Sequence, residues 1–114
     1  GLLLGRQVNC RLSVAGRLLW DVHYSTDGFG RRTTVVPQST IPQSRIVLFG
    51  CSFLFGEGSE DGQTIASQLC TEIPESQAFN YGVPGWGTQQ MLALLELWCR
   101  ELKAPLKLKR LLNI

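Results

Sequence analysis

Hydrophobic and polar positions change their period along this chain, and the changes mark out its elements. Near the start the period is two: Val8, Cys10 and Leu12 alternate with polar residues, a turn follows at Ala15-Gly16, and Leu18-Leu19-Trp20 leads into Val22 and Tyr24. Such alternation places one face of a strand on a core, so residues 6–35 read as a small antiparallel β-ribbon. Asp27-Gly28 and Phe29-Gly30 supply turn chemistry before Thr33-Thr34-Val35-Val36. From Pro37 to Ser44 the chain is polar with two prolines and reads as a linker. Ile46-Val47-Leu48-Phe49 is then a continuous apolar run, the pattern of a central parallel strand covered on both faces.

Beyond that run the period lengthens. Thr64 can cap a helix reaching Ile73, where Pro74 stops it, and a short strand is expected near Gln77-Ala78-Phe79. Met91, Leu92, Leu94, Leu95, Trp98, Cys99 and Leu102 form a stripe at helical spacing, predicting a helix from about Thr88 to Leu102 that ends before Pro105. Strand, helix, strand, helix makes the class α/β, with residues 1–44 as ribbon and linker and residues 45–114 as an α/β domain.

Composition changes this picture little. At 114 residues the chain suits one domain that buries about 60% of its unfolded surface or a little more. Apolar content of 44% and charged content of 18% describe an ordinary globular chain. A net charge of +2 argues for no particular partner, and no nucleic-acid partner is expected. Arg100, Lys103, Lys107, Lys109 and Arg110, opposed by Glu101 alone, read as a solvated face or tail. No stretch approaches the roughly 20 apolar residues of a spanning helix, so a membrane partner is not expected. Gly1 to Gly5 lacks the basic flank of a signal peptide, and the chain begins without Met, as a piece of a longer polypeptide would. Cysteines at 10, 51, 70 and 99 form no Cys-x-x-Cys pair and the only histidine is His23, so no zinc site is expected. Scattered thiols of this kind favour a reducing compartment such as the cytoplasm over disulfides.

Candidate chemistry lies where the apolar run ends, at Gly50-Cys51-Ser52-Phe53-Leu54-Phe55-Gly56-Glu57-Gly58. Spacing excludes several familiar sites. An α/β-hydrolase elbow needs Gly-x-Ser-x-Gly, but Leu54 takes the last position. A phosphate-binding P-loop needs its glycines one residue closer than Gly50 and Gly56, followed by lysine. The dinucleotide fingerprint fails because its third glycine, Gly62, falls one residue late. What remains is a serine at the carboxyl edge of a strand, where ligands meet open α/β sheets. The alternative is that Ser52 merely opens the loop with a side-chain-to-backbone hydrogen bond.

About thirty residues on, Asn80-Tyr81-Gly82-Val83-Pro84-Gly85-Trp86-Gly87-Thr88 forms a second glycine-rich loop. The two segments together resemble the first two conserved blocks of the SGNH (GDSL-like) hydrolases. Gly50-Cys51-Ser52-Phe53 stands for the serine block, and the likeness runs from about Trp20 to Leu95. It implies a flavodoxin-like three-layer α/β/α fold, here truncated, and acyl transfer from an O-acyl ester through an acyl-serine intermediate. Ser52 would be nucleophile and, through its N–H, an oxyanion donor. Gly85 would donate a second N–H, with Gly82 as fallback, and Gly82 and Trp86 would line the substrate. No metal or organic cofactor is implied; the partner is a small-molecule or carbohydrate ester.

The resemblance also shows what these residues lack. Cys51 replaces the family's aspartate beside the nucleophile, and as a nucleophile itself it has no visible base to make it a thiolate. The family's Asp-x-x-His pair and oxyanion asparagine belong to later blocks, and no histidine follows Ser52. His23 alternates with Val22 and Tyr24 in the ribbon and reads as a surface or packing residue. The expectation is half a hydrolase site, weak or inactive alone because a general base supplies about 10²–10⁴-fold. Two other readings stay open: a non-catalytic module binding carbohydrate or acyl groups, and a membrane-surface or partner-binding protein using residues 103–114. A two-stranded parallel sheet would also leave an edge open to self-association.

Overall fold

The computed structural model describes residues 5–37 and 41–101, and the basic stretch 103–114 lies outside them. The chain is mixed α/β. Its described residues form two two-stranded sheets, three α-helices and one 3₁₀ turn.

β1 (Gln7–Val14) and β2 (Arg17–Ser25) pair antiparallel. Their tight turn puts Ala15 at φ 52° and Gly16 at φ 76°, the doubly positive geometry that matches the twist of a hairpin. Val8–Tyr24, Cys10–Val22 and Leu12–Trp20 are cross-strand partners and share one face. That face packs on the chain just after Ser52. The Tyr24 ring meets Phe55 edge-on with centroids 5.1 Å apart, and its hydroxyl accepts a 2.6 Å hydrogen bond from the Gly58 N–H. Burial pushes the Tyr24 phenol above its ordinary value, outweighing the opposing pull of the Gly58 N–H. His23 and Ser25 donate their amides to the carboxylates of Glu60 and Asp61, completing the seam.

Thr33-Thr34-Val35-Val36 does not continue the ribbon as a strand. The Val35 N–H is taken by Ser67 Oγ at 2.9 Å, and only Arg32 keeps isolated bridges, to Thr26 and Asn80. Of the expected linker, residues 38–40 are outside the described set.

β3 (Ser44–Gly50) runs parallel to β4 (Ser76–Gly82) in unbroken register, from Ser44–Ser76 to Gly50–Gly82. Ala66 and Cys70 of α2 (Ile65–Glu72) meet Ala78 of β4 in a core completed by Ile46 and Leu48. Small residues let helix and sheet approach closely, close enough for the Ala78 N–H to meet Cys70 Sγ at 3.3 Å. Thr64 caps α2 as its sequence predicts, accepting from the Ser67 N–H. α3 (Thr88–Glu101) packs against β3 with Cys99 buried, while Leu92, part of the predicted stripe, stays half exposed.

Two further expectations need correction. The apolar run 46–49 reads as a strand covered on both faces, yet these residues are only half-buried and, among the described residues, β3 pairs with β4 alone. β4 is also longer than expected. Asn80, Tyr81 and Gly82 belong to the strand, not to the second loop, because they continue the parallel ladder opposite Leu48, Phe49 and Gly50.

Candidate active site

Both glycine-rich segments leave the same edge of the sheet. Gly50 and Gly82 are the last ladder partners, and the Val83 N–H donates to the Gly50 carbonyl at 3.0 Å. From Gly50 the chain turns at once into α1 (Ser52–Phe55), a single helical turn absent from the sequence reading. Its sequence is too short to show a period. Cys51 is the extended residue before it, and Gly56 ends it in the left-handed conformation at φ 84°.

Two glycines make room for this turn. A Cβ on residue 50 would stand 2.6 Å from Leu54 Cβ, and one on residue 82 would stand 2.4 Å from the Phe55 nitrogen. Ser52 is therefore the first helical residue of a turn seated directly on the end of the parallel pair. Its side chain is half-buried and its hydroxyl makes no hydrogen bond to any described residue. The side-chain-to-backbone bond that would have explained a loop serine is not formed.

The second loop is a β-turn over Val83-Pro84-Gly85-Trp86, closed by the Trp86 N–H to the Val83 carbonyl at 3.2 Å. Proline at the second position and glycine with φ 84° at the third make it type II. Gly85 has open space where a Cβ would be, and its N–H has no partner among the described residues. Gly82 differs: its N–H donates to Asn80 Oδ1 at 2.9 Å and is not free for a ligand. Trp86 is half-buried beside the turn.

His23 is exposed and lies 3.9 Å, through Nδ1, from Glu60 Oε1; none of its contacts is with Ser52. Cys51 is half-buried, and Cys10, Cys51, Cys70 and Cys99 are all unpaired thiols. Among the described residues no cluster of His, Cys, Asp or Glu could hold a metal, and no helix is long and apolar enough to cross a membrane.

Sequence reasoning missed the residues that support the turn. Asn80 is fully buried; its Nδ2 donates to the Leu54 carbonyl at 2.9 Å while its Oδ1 takes the Gly82 N–H. Its signal was present as a polar residue at an inward position of an alternating strand. Arg32, also fully buried, reaches the carbonyls of Phe55, Gly56 and Ser59 and the carboxylate of Asp61. Nothing in the sequence separates it from its neighbour Arg31. That second arginine lies over the rings of Phe79 and Phe29 at 4.6 and 4.9 Å. Burial works against its charge, but hydrogen bonds to Asp27 and Tyr81 leave its pKa raised.

A cavity of about 290 Å³ lies elsewhere, between residues 27–36 and the outer edge of β4 at Gln77–Asn80. Ser52 does not line it. Compared with known proteins, the chain matches no family model, and no curated protein gives a significant match.

Proposed function

We propose that this chain carries the nucleophile part of a serine ester hydrolase of SGNH type, acting on O-acyl esters. β3, α2, β4 and α3 would be the first units of the flavodoxin-like, three-layer fold of that family. The observation that carries the reading is the unspent hydroxyl of Ser52, on the first residue of a turn at the carboxyl edge of a parallel pair. No described group competes for that hydroxyl with a base or a substrate.

Ser52 Oγ would attack the ester carbonyl, its proton passing through a general base supplied from outside these residues to the leaving alcohol, and water would then hydrolyse the acyl-serine to release the acid. The negative oxygen of that intermediate is met by the N–H groups of Ser52 and Gly85. As the first residue of a helix, Ser52 has no intrahelical acceptor for its N–H, and the Gly85 amide is equally unspent. Gly82 serves by lacking a side chain, and Trp86 offers an aromatic surface to the substrate.

No histidine follows Ser52, and His23 is engaged with Glu60. A second reading, resting on Trp86 half-buried beside the glycine turn, is a module that binds carbohydrate or acyl groups there without cleaving them.

Fluorophosphonate labelling with mass spectrometry of the modified peptide separates the two readings. It is run on these 114 residues and on any longer product of the same locus. Labelling of Ser52 in the longer product, lost in Ser52→Ala together with p-nitrophenyl acetate hydrolysis, supports the hydrolase. Silence in both sinks it and leaves the binding module.

A further inference from the structure

We propose that Arg32, contributed by the chain leaving the ribbon, is the positioning residue for Ser52; this rests on Ser52 being the nucleophile. A single helical turn in isolation is not stable, because fixing its backbone costs more than its one or two hydrogen bonds return. α1 has four residues. Internally it has only the Cys51 carbonyl accepting from Phe55 N–H and the Ser52 carbonyl accepting from the N–H groups of Gly56 and Glu57.

The carbonyls of Leu54, Phe55, Gly56 and Ser59 are met by side chains from outside, Gly56 accepting from the Ser59 N–H as well. Asn80 takes Leu54. Arg32 Nη1 donates to the carbonyls of Phe55 at 2.9 Å and Gly56 at 3.2 Å, Nη2 to Ser59 at 2.8 Å, and Nε to Asp61 Oδ1 at 2.9 Å. One rigid fork therefore fixes the end of the turn and the loop beyond it, with its plane on Tyr24 at 4.4 Å and Phe55 at 5.0 Å. Lysine has the charge but not the fork, so it cannot meet four acceptors in these directions. Arg32 is in turn aimed by its bridges to Thr26 and Asn80 and by the Asp27 turn that precedes it. The ribbon is on this account part of the site, although none of its residues reaches the reacting atoms.

The test compares Arg32→Lys, with Arg31→Lys as control, by amide hydrogen exchange and by the rate of Ser52 phosphonylation in whichever product labels. Arg32→Lys is expected to speed exchange at Phe55, Gly56 and Glu57 at least about tenfold more than along the β3–β4 ladder. It is also expected to lower the maximal phosphonylation rate without weakening the initial binding of the probe. Arg31→Lys should do neither. Uniform acceleration across the ladder, or selective loosening of the turn with an unchanged maximal rate, would overturn the inference. If Arg32→Lys does not fold, Asp61→Asn, which frees one end of the fork, is read by the same two criteria. Absence of labelling in every unsubstituted product sinks the hydrolase reading instead, and the exchange contrast then decides alone whether Arg32 fixes the turn.

Discussion

Gly82 lies so close beneath Phe55 that a Cβ on it would stand 2.4 Å from the Phe55 nitrogen, inside any real contact distance. The serine turn and the strand end are thus in backbone contact, and residue 82 must be glycine for a different reason than residue 85. Gly82→Ala is expected to cost about 2–3 kcal/mol by forcing α1 away from the sheet. Gly85→Ala meets no atom within 4 Å and carries only the strain of a positive φ, about 1 kcal/mol. Thermal denaturation of the two variants should rank them in that order; an equal loss would mean that α1 is not seated as tightly as described.

Asn80 links the two elements with both ends of its amide. Asn80→Leu conserves volume but strands the Leu54 carbonyl and the Gly82 N–H in the interior, an expected loss of about 2–4 kcal/mol. Urea titration gives the number, and a loss below about 1 kcal/mol would show that water reaches both groups.

Tyr24 makes stability depend on alkaline pH. Its phenol has a raised pKa in the folded chain, chiefly through burial, so between the ordinary value near 10 and the folded value the native state binds more protons than the unfolded one. Its contribution is complete below pH about 10 and is lost as pH rises through the folded value. Tyr24→Phe should flatten that fall, measured as denaturation midpoints on either side of pH 10, while an unchanged slope would refute the assignment to Tyr24.

The hairpin turn contains a correctable strain. Ala15 sits at φ 52°, a region where its Cβ costs roughly 1 kcal/mol and asparagine costs less. Ala15→Asn creates the Asn-Gly pair favoured by such turns and should stabilise the chain by about 0.5–1 kcal/mol. A lower melting temperature in that variant would refute the turn assignment.

The elements whose signal is local were legible in advance. Alternation from Val8 to Tyr24 marks the ribbon, Ala15-Gly16 its turn, Thr64 and Pro74 the limits of α2, and the glycines after Tyr81 a loop. Each depends on residues a few positions apart, whose steric and hydrogen-bonding preferences act within one turn or one strand. Ser52 could be singled out in the same way, from glycines and an apolar run close by in the chain, whereas Gly85 was singled out only through the family resemblance.

What only the tertiary structure decided depends on groups brought together from far apart. That Gly82 is spent on Asn80 while Gly85 is free, that β3 has one strand partner rather than two among the described residues, and that α1 exists at all are matters of contact, not of pattern. Arg32 is the clearest case. Arg31 and Arg32 are chemically identical neighbours, yet one lies over aromatic rings of the β4 strand and the other is buried among the carbonyls behind Ser52, 23 to 27 positions away. A guanidinium's role is set by which acceptors surround it once it has left water, and that is fixed by the packing of ribbon on sheet, which no stretch of sequence encodes alone.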